Sequence, residues 1–381
     1  MKNFDVIICG AGPAGLTASL VLGGAGLKVA LIDKETSPGN KVCGDAIAAY
    51  VPKVLGKISP EFTSALERCD QKVEVTTCRI FSPSGRFLDL NYPEPGFICR
   101  RPVFDLLLSG IVARQPGVTV YSGTKITGVR ADQQQATVIA ADGTVFTAPL
   151  VIGCDGAGGI TGRMLAGNKG DLKHSSAAVR AYYRNVKNIP ESTFELHFIR
   201  DILPGYFWIF PLPDGYANAG LGVPSEMAGA KKINLIRKLT QITETVPGIK
   251  ERFEGAELAG PPETGLLPLG SRKVRISGER FMLCGDAASL TDPATGEGVG
   301  HAILSGRYAG WQALRCFEKD DFSAGIMKGY DNELYAKLWN HNRRRYLIRK
   351  TVLKKSCLLN LAITLGKNNI WALETIKKVI I

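Results

Sequence analysis

Six residues, Gly10-Ala11-Gly12-Pro13-Ala14-Gly15, constrain the fold of this chain more than any other stretch. They follow Phe4 to Cys9, an apolar run that reads as a buried parallel strand, and they open an apolar helix over Leu16 to Leu22. In such a turn Gly10 allows the tight bend and Gly12 lets the backbone approach a pyrophosphate. Gly15 lets the helix pack on the strand while its first amides face the anion. Glycine-rich turns open many helices that bind nothing, so the context decides. Gly23 to Gly26 ends the helix, and Lys28 to Ile32 reads as a second strand closing on Asp33, eighteen residues past Gly15, where an acid can bind a ribose hydroxyl pair. A dinucleotide cradle is expected.

A second stretch repeats the logic. Phe281 to Cys284 is an apolar strand ending on Gly285-Asp286, and the chain passes through Thr291-Asp292-Pro293-Ala294-Thr295 into Gly296-Glu297-Gly298-Val299-Gly300. A helix over His301 to Leu314 follows, and its N-terminus would set positive dipole beside a ring that becomes anionic on reduction. Two such ends point to FAD.

Between them lie further candidates. Lys34 to Asn40 is a loop with turn chemistry at Ser37-Pro38-Gly39, followed by Lys41-Val42-Cys43-Gly44-Asp45, on the side of a doubly wound sheet where loops meet ligands. Cys43 there is a candidate proton donor or ring contact; free thiols more often simply pack. Ala46 to Arg68 has a helical pattern interrupted by Pro52 and Pro60, and Val73 to Leu90 alternates as strands about a turn at Ser82 to Gly85. Arg101 precedes an amphipathic helix and faces either cofactor or solvent. Short strands fill Val118 to Cys154, and Asp155 with its glycines suits a cofactor-facing turn before a short helix at Thr161. Ala177 to Phe198 reads as half-buried antiparallel sheet. Tyr206-Phe207-Trp208-Ile209-Phe210-Pro211 then alternates aromatics that can wall an apolar cavity or form sheet core. Ile233 to Thr243 is a helix, and Gly265 to Leu269 returns toward the first domain.

The chain's 381 residues can hold one large or two medium cores. Its nine cysteines are scattered without a CxxC pair, which indicates a reducing compartment and no cysteine-based metal site; no metal is expected. The N-terminus reads as the first strand and not as a cleaved leader, giving a cytoplasmic protein. The formal charge is +12, of which +8 falls in the last 51 residues, with Trp339, Tyr346, Leu347, Leu358 and Trp371 interleaved. Such an end suits peripheral contact with the inner face of an anionic membrane, or equally a solvated helix face or partner contact. Ser356 to Gly366 has eleven residues without a charge, too few to span a bilayer. No motif for reading nucleic acid accompanies the basic cluster.

With these stretches placed, the chain resembles the glutathione-reductase type of FAD fold in its aromatic-hydroxylase branch, and most specifically the geranylgeranyl reductase family. The likeness covers about residues 1 to 315 and rests on GAGPAG with Asp33, the Lys41 to Gly44 box, Arg101 with Phe104-Asp105, Tyr206 to Pro211 with Asn218 and Gly220, and Gly285 to Ala288 through Gly296-Glu297-Gly298 to Ser305-Gly306. It implies a Rossmann-like α/β FAD domain (1–72, 99–168, 273–330), an interleaved α+β substrate domain on an antiparallel sheet (73–98, 169–272), and a basic helical C-terminal region (331–381).

The resemblance also implies chemistry: hydride passes from reduced FAD to an isolated polyprenyl double bond, with a proton to the neighbouring carbon. It places Gly10, Gly12, Pro13, Ala14, Gly15, Asp33, Lys34, Cys43, Gly44, Arg101, Asp155, Gly285, Asp286, Pro293, Gly296, Gly298 and Val299 at the cofactor. Lys41, Tyr206, Trp208, Phe210, Pro211 and Gly220 fall to an isoprenoid or other apolar substrate. Two departures stand out: Asp45 where a second glycine is common, and Asp33 where glutamate is usual. An oxygen-using monooxygenase or halogenase is the alternative, for which Tyr206 to Pro211 narrowly misses the halogenase WxWxIP segment, while Ser289 and Ser305-Gly306 miss the hydroxylase residues. A flavin electron relay to quinone is the second alternative. The electron donor stays open between NAD(P)H and ferredoxin, since no second complete nucleotide fingerprint is present.

Overall fold

The computed structural model describes residues 1–37, 39 and 41–380, without the side chains of 378–380. Pro38 and Asn40, within the loop expected over Lys34 to Asn40, lie outside the described residues. Strands Val118–Tyr121, Val29–Ile32, Val6–Cys9, Leu150–Gly153 and Phe281–Leu283 run parallel in that order, and Ser277–Gly278 closes the edge antiparallel. Val6–Cys9, Val29–Ile32 and Leu150–Gly153 are buried at every residue, which explains why their sequences are apolar throughout instead of alternating. Each of Ile7, Ile8, Leu31 and Ile32 contributes about 1.5–3 kcal/mol by leaving water.

Helices Pro13–Gly23 and Val299–Lys319 cover this sheet and pack on each other so closely that a Cβ on Gly306 would fall onto the Ala14 carbonyl oxygen. The two glycine stretches therefore sit side by side. Gly10, Asp33, Asp155 and Gly285 all follow the carboxyl ends of parallel strands, where a doubly wound sheet opens its ligand crevice.

A nine-stranded sheet forms the second body. From one edge it runs Glu257–Leu258, Ser175–Arg184, Tyr216–Pro224, Tyr206–Pro211, Thr193–His197, Lys72–Phe81, Phe87–Cys99 and Ala46–Ile47, and Glu263–Pro268 also pairs with Ser175–Arg184. That strand keeps Gly265 to Leu267 in this sheet, and the chain turns back to the first body only at Leu269, which bridges to Thr291. Thr193–His197 is antiparallel to Tyr206–Pro211 on one side but parallel to Lys72–Phe81 on the other, so the sheet is mixed. Pro52 does not interrupt a helix: it lies in the first turn of Tyr50–Gly56, where its missing N–H has no partner to lose, and Pro60 starts Pro60–Glu67.

One face of the large sheet buries Phe207, Ile209, Ala219 and Leu221 against Leu239 and Ile242 of the Leu235–Thr245 helix. The other buries Trp208, Phe210, Leu196 and Ile80 with Leu353, Leu359 and Ile363 from the chain's end. That end is three helices, Ala324–Thr351, Ser356–Asn368 and Ile370–Ile380. The second packs on the Lys72–Cys99 hairpin, with Asn360 Oδ1 accepting from Ser84 N at 3.2 Å and Thr364 Oγ1 from Arg86 Nη1 at 2.9 Å. Among the described residues no helix is long and apolar enough to cross a membrane.

Candidate functional site

Gly10 has φ +108°, and a Cβ there would clash with the Cys154 carbonyl; one on Gly15 would fall onto the Gly10 oxygen. Only glycine builds this turn. A Cβ on Gly12, in contrast, would meet nothing within 4 Å, and no side chain caps the helix that Pro13 and Ala14 begin. The turn thus presents bare helix amides to open ground, which fits a pyrophosphate. Beside it the Asp33 carboxylate is oriented by two backbone amides, Ala11 N at 2.5 Å and Glu35 N at 2.8 Å. Lys34 is exposed and pairs with Glu35 at 3.7 Å.

Asp155 is spent differently from the expectation of a free cofactor-facing acid. Its carboxylate accepts from Ile160 N (2.7 Å), Thr161 N (2.9 Å) and Thr161 Oγ1 (2.5 Å), closing the turn that leads into the Thr161–Ala166 helix. Arg101 is buried and doubly bonded to Asp105, Nε to Oδ1 at 3.0 Å and Nη2 to Oδ2 at 2.7 Å.

In the second stretch, Gly285 N donates to Ser305 Oγ at 3.0 Å, fixing the strand end on the long helix. Asp286 accepts from Thr291 Oγ1 at 2.9 Å and pairs with Lys41, tying the Cys43 loop to this stretch. Asp292 then organises the turn: its Oδ1 accepts from Ala294 N (2.8 Å) and Thr295 N (2.9 Å), and its carbonyl from Gly296 N (3.0 Å). Gly298 precedes Val299 at the helix start without a side-chain cap, although Glu297 Oε1 accepts from Gly300 N at 2.6 Å. The Tyr50 hydroxyl, close to Gly300, is buried with no partner among the described residues, an orphaned group of the kind a polar ligand satisfies.

Tyr206, Trp208 and Phe210 share one face of their strand, with ring centroids 6.1 and 6.0 Å apart along the series. By strand alternation Pro211 belongs to the opposite face and does not extend this strip. Gly220 is opposite Trp208, where any Cβ would enter the indole, and a Cβ on Gly44 would touch the Phe210 ring at 2.9 Å. Tyr206 donates to the Thr295 carbonyl, joining strip to loop.

The link between strip and thiol is Asp45, buried, at φ +65°. That conformation favours glycine, and aspartate tolerates it better than most side chains. Its carboxyl accepts from Arg101 N (3.1 Å), Tyr182 OH (2.9 Å) and Asn218 Nδ2 (2.8 Å). Asn218 also donates to the Cys43 carbonyl at 2.8 Å and accepts from Trp208 Nε1 at 2.9 Å. Burial pushes the Asp45 carboxyl above its usual value, only partly offset by the Asn218, Tyr182 and Arg101 hydrogen bonds. Burial likewise raises the Cys43 thiol, against the pull of Arg101, the Asp45 N–H and Lys41. The thiol is therefore protonated at neutral pH.

Sequence reasoning brought Lys41, Cys43, Gly44, Tyr206, Trp208, Phe210, Gly220, Asp286 and Gly296 into one neighbourhood, and the contacts above join them. It left Asp45 and Tyr182 without roles. The left-handed position was signalled by aspartate standing for glycine; Tyr182 carries no local signal. Two open surface clefts along the Leu235–Thr245 helix share no residue with this neighbourhood.

Residues 3–212 match a family model described as FAD binding domain. The chain is 31% identical over 367 residues to a digeranylgeranylglycerophospholipid reductase from Methanocella arvoryzae, covering 93% of this chain and 88% of that protein. A menaquinone reductase from Mycolicibacterium smegmatis is 30% identical over 323 residues, covering 80% and 75%. A crystal structure described as geranylgeranyl bacteriochlorophyll reductase-like, from Thermoplasma acidophilum, superposes with a TM-score of 0.81 at 26% identity, covering 96% of this chain and 91% of that one.

Proposed function

Because this chain belongs to the FAD binding domain family and, within it, to the geranylgeranyl reductase flavoproteins, we propose that it reduces double bonds in the polyprenyl chain of an isoprenoid lipid. The observation that carries this reading is the junction of an apolar aromatic strip and the Cys43 loop on the second cofactor stretch, through Tyr206 to Thr295 and Lys41 to Asp286. An apolar wall against polar, glycine-lined turns suits a hydrocarbon substrate laid beside a dinucleotide.

Gly10, Gly12, Pro13, Ala14 and Gly15 hold the pyrophosphate, and Asp33 holds the adenosine ribose. Asp286 meets the ribityl chain, while Pro293, Gly296, Gly298 and Val299 approach the ring. Lys34, Arg101 and Asp155 act through the loops they support, given their ion pairs and hydrogen bonds. Bound there and reduced, FAD would supply the hydride for one carbon of the double bond. Cys43 holds the proton for the other: its thiol hydrogen forms the new C–H bond and the electron pair stays on sulfur. Arg101, the Asp45 N–H and Lys41 then stabilise the thiolate. Tyr206, Trp208 and Phe210 orient the chain, and Gly44 and Gly220 leave room for their rings.

The C-terminal helices extend the reading to a membrane. Ile363 and Leu359 face inward, while Leu347, Leu361, Leu365, Ile370 and Trp371 are exposed among lysines. This outer surface fits an anionic bilayer from which the lipid tail enters. Mass spectrometry of geranylgeranyl lipids incubated with the dithionite-reduced protein without oxygen tests the function. The reading expects lipids heavier by two hydrogens per bond; unchanged lipids that are altered only when oxygen is admitted would overturn it in favour of an oxygenase.

A further inference from the structure

The Ala324–Thr351 helix ends in a run of cations that, as sequence, belongs on a solvated or membrane-facing surface. Its Arg343 and Arg344 do face outward. Asn342, Arg345 and Arg349, at positions i, i+3 and i+7, turn inward and are 2, 4 and 7% exposed. The partners of both arginines lie on the Asp292–Pro293 turn or on the sheet strand beside it. Arg345 Nη1 donates to Asp292 Oδ2 at 2.9 Å. Arg349 donates from Nη1 to the Pro293 carbonyl at 3.1 Å and from Nη2 to Ser176 Oγ at 2.7 Å. Asn342 lies against Gly270, which the Leu290 carbonyl also approaches at the base of the same loop.

Asp292 is the pivot of that loop. One carboxylate oxygen receives Arg345 while the other receives the amides of Ala294 and Thr295, so the guanidinium fixes the orientation of the group that shapes the turn. Burial by itself would raise this carboxyl; His341, Arg345 and His301 together hold it well below the usual range, and it stays charged. A charge-assisted pair inside the protein is strongly directional, and losing one partner leaves the other uncompensated. The turn in question delivers the Thr295 carbonyl to Tyr206 and sets Gly296 at φ +72° ahead of the Val299–Lys319 helix.

We propose that Arg345 and Arg349 are positioning residues for the ring-side loop, holding Asp292 and Pro293 from behind so that the loop meets the flavin and Tyr206 together. The C-terminal helix is then part of the active site and not only a surface element. This rests on the reading that Pro293 to Val299 faces the flavin. The same helix leads through a short turn into the Ser356–Asn368 helix on the substrate-side hairpin, so consecutive helices reach both the cofactor-facing loop and the lipid-facing sheet.

The test uses the full chain loaded with FAD and four variants: Arg349→Met, Arg349→Lys, the charge-balanced pair Asp292→Asn with Arg345→Met, and Asp286→Ala as a control for the loop's place at the cofactor. Flavin affinity by fluorescence, the visible flavin spectrum, and kcat and KM for a geranylgeranyl lipid are read on each. Arg349→Met and the paired variant should shift the spectrum and lower kcat about tenfold at little changed KM, with lysine at 349 restoring part of the loss. Melting curves of the paired variant guard against mere unfolding. An unaltered spectrum and kcat in Arg349→Met and the paired variant, with Asp286→Ala losing flavin, would overturn the inference alone. If Asp286→Ala also keeps its flavin affinity, the stretch that carries both Asp286 and the loop does not hold the cofactor as assigned, and the underlying reading falls with it.

Discussion

Asn218 Nδ2 lies 2.8 Å from Asp45 Oδ2, and through this one amide the left-handed turn after Cys43 is locked to the indole of Trp208. The amide uses both of its donors, on the Asp45 carboxyl and the Cys43 carbonyl, and one of its two acceptor sites, on the indole N–H.

Asn218→Leu therefore takes the partner from the Trp208 indole N–H and the Cys43 carbonyl and removes one of the three hydrogen bonds of the Asp45 carboxyl. Thermal or urea unfolding should show a loss of about 1–3 kcal/mol for each group left unsatisfied, less what relaxation recovers. The same variant should reduce lipid slowly with FAD still bound, since neither Trp208 nor the Cys43 loop is held.

Asp45 makes a pH prediction of definite sign. Its folded-state value is raised, so the folded protein binds this proton more tightly than the unfolded chain. Its contribution is thus most favourable below the ordinary carboxylate range and declines as pH rises through the raised value. Asp45→Asn removes that penalty while keeping an acceptor for Tyr182. The variant should be at least as stable as the parent at neutral pH, with the difference shrinking on acidification; a parent that outlasts it at neutral pH but not in acid contradicts the assignment.

Cys43→Ser should keep FAD and slow alkene reduction, because a hydroxyl is a far weaker acid than a thiol. In the parent, reduction should be flat through neutral pH and fall only above the usual thiol range, the thiol being raised by burial. Single-turnover rates across pH read both points, and unchanged turnover in the serine variant removes Cys43 from the proton step.

Asp286→Ala should lower the flavin-to-protein ratio after gel filtration and release Lys41 from its pair. A fully loaded variant counts against the ribityl assignment.

At the surface, Trp371→Glu with Ile370→Lys should weaken binding to anionic vesicles about tenfold or more without changing the flavin spectrum, and added salt should weaken the parent. Equal sedimentation of parent and variant with vesicles would detach these helices from the membrane.

What the sequence disclosed was local and periodic. Gly10 is required by its own positive φ and Gly15 by contact with the Gly10 oxygen within the turn, and unbroken apolar runs of four residues mark strands buried on both faces. Alternation likewise sorts Tyr206, Trp208 and Phe210 onto one face, and by the same period it separates Pro211 from them. Side-chain choices made across the chain were not visible. That both Asp155 oxygens bond to Ile160 and Thr161, within the turn expected to face the cofactor, carries no local signal. Nothing local distinguishes Arg345 from Arg343 and Arg344; only the Asp292 loop, 53 residues earlier, does so. Pro52 reads as a breaker because the start of its helix at Tyr50 carries no capping side chain.

In the proposed reaction, hydride from the flavin ends on a lipid carbon beside the strip of Tyr206, Trp208 and Phe210. The most direct test is an anaerobic single turnover: the protein is reduced with dithionite, freed of excess reductant, and mixed with geranylgeranyl lipid while flavin absorbance and lipid mass are followed together. Return of the oxidised flavin band with one pair of hydrogens gained by the lipid per flavin is the predicted result. A flavin that stays reduced until oxygen enters, with lipid unchanged, contradicts it.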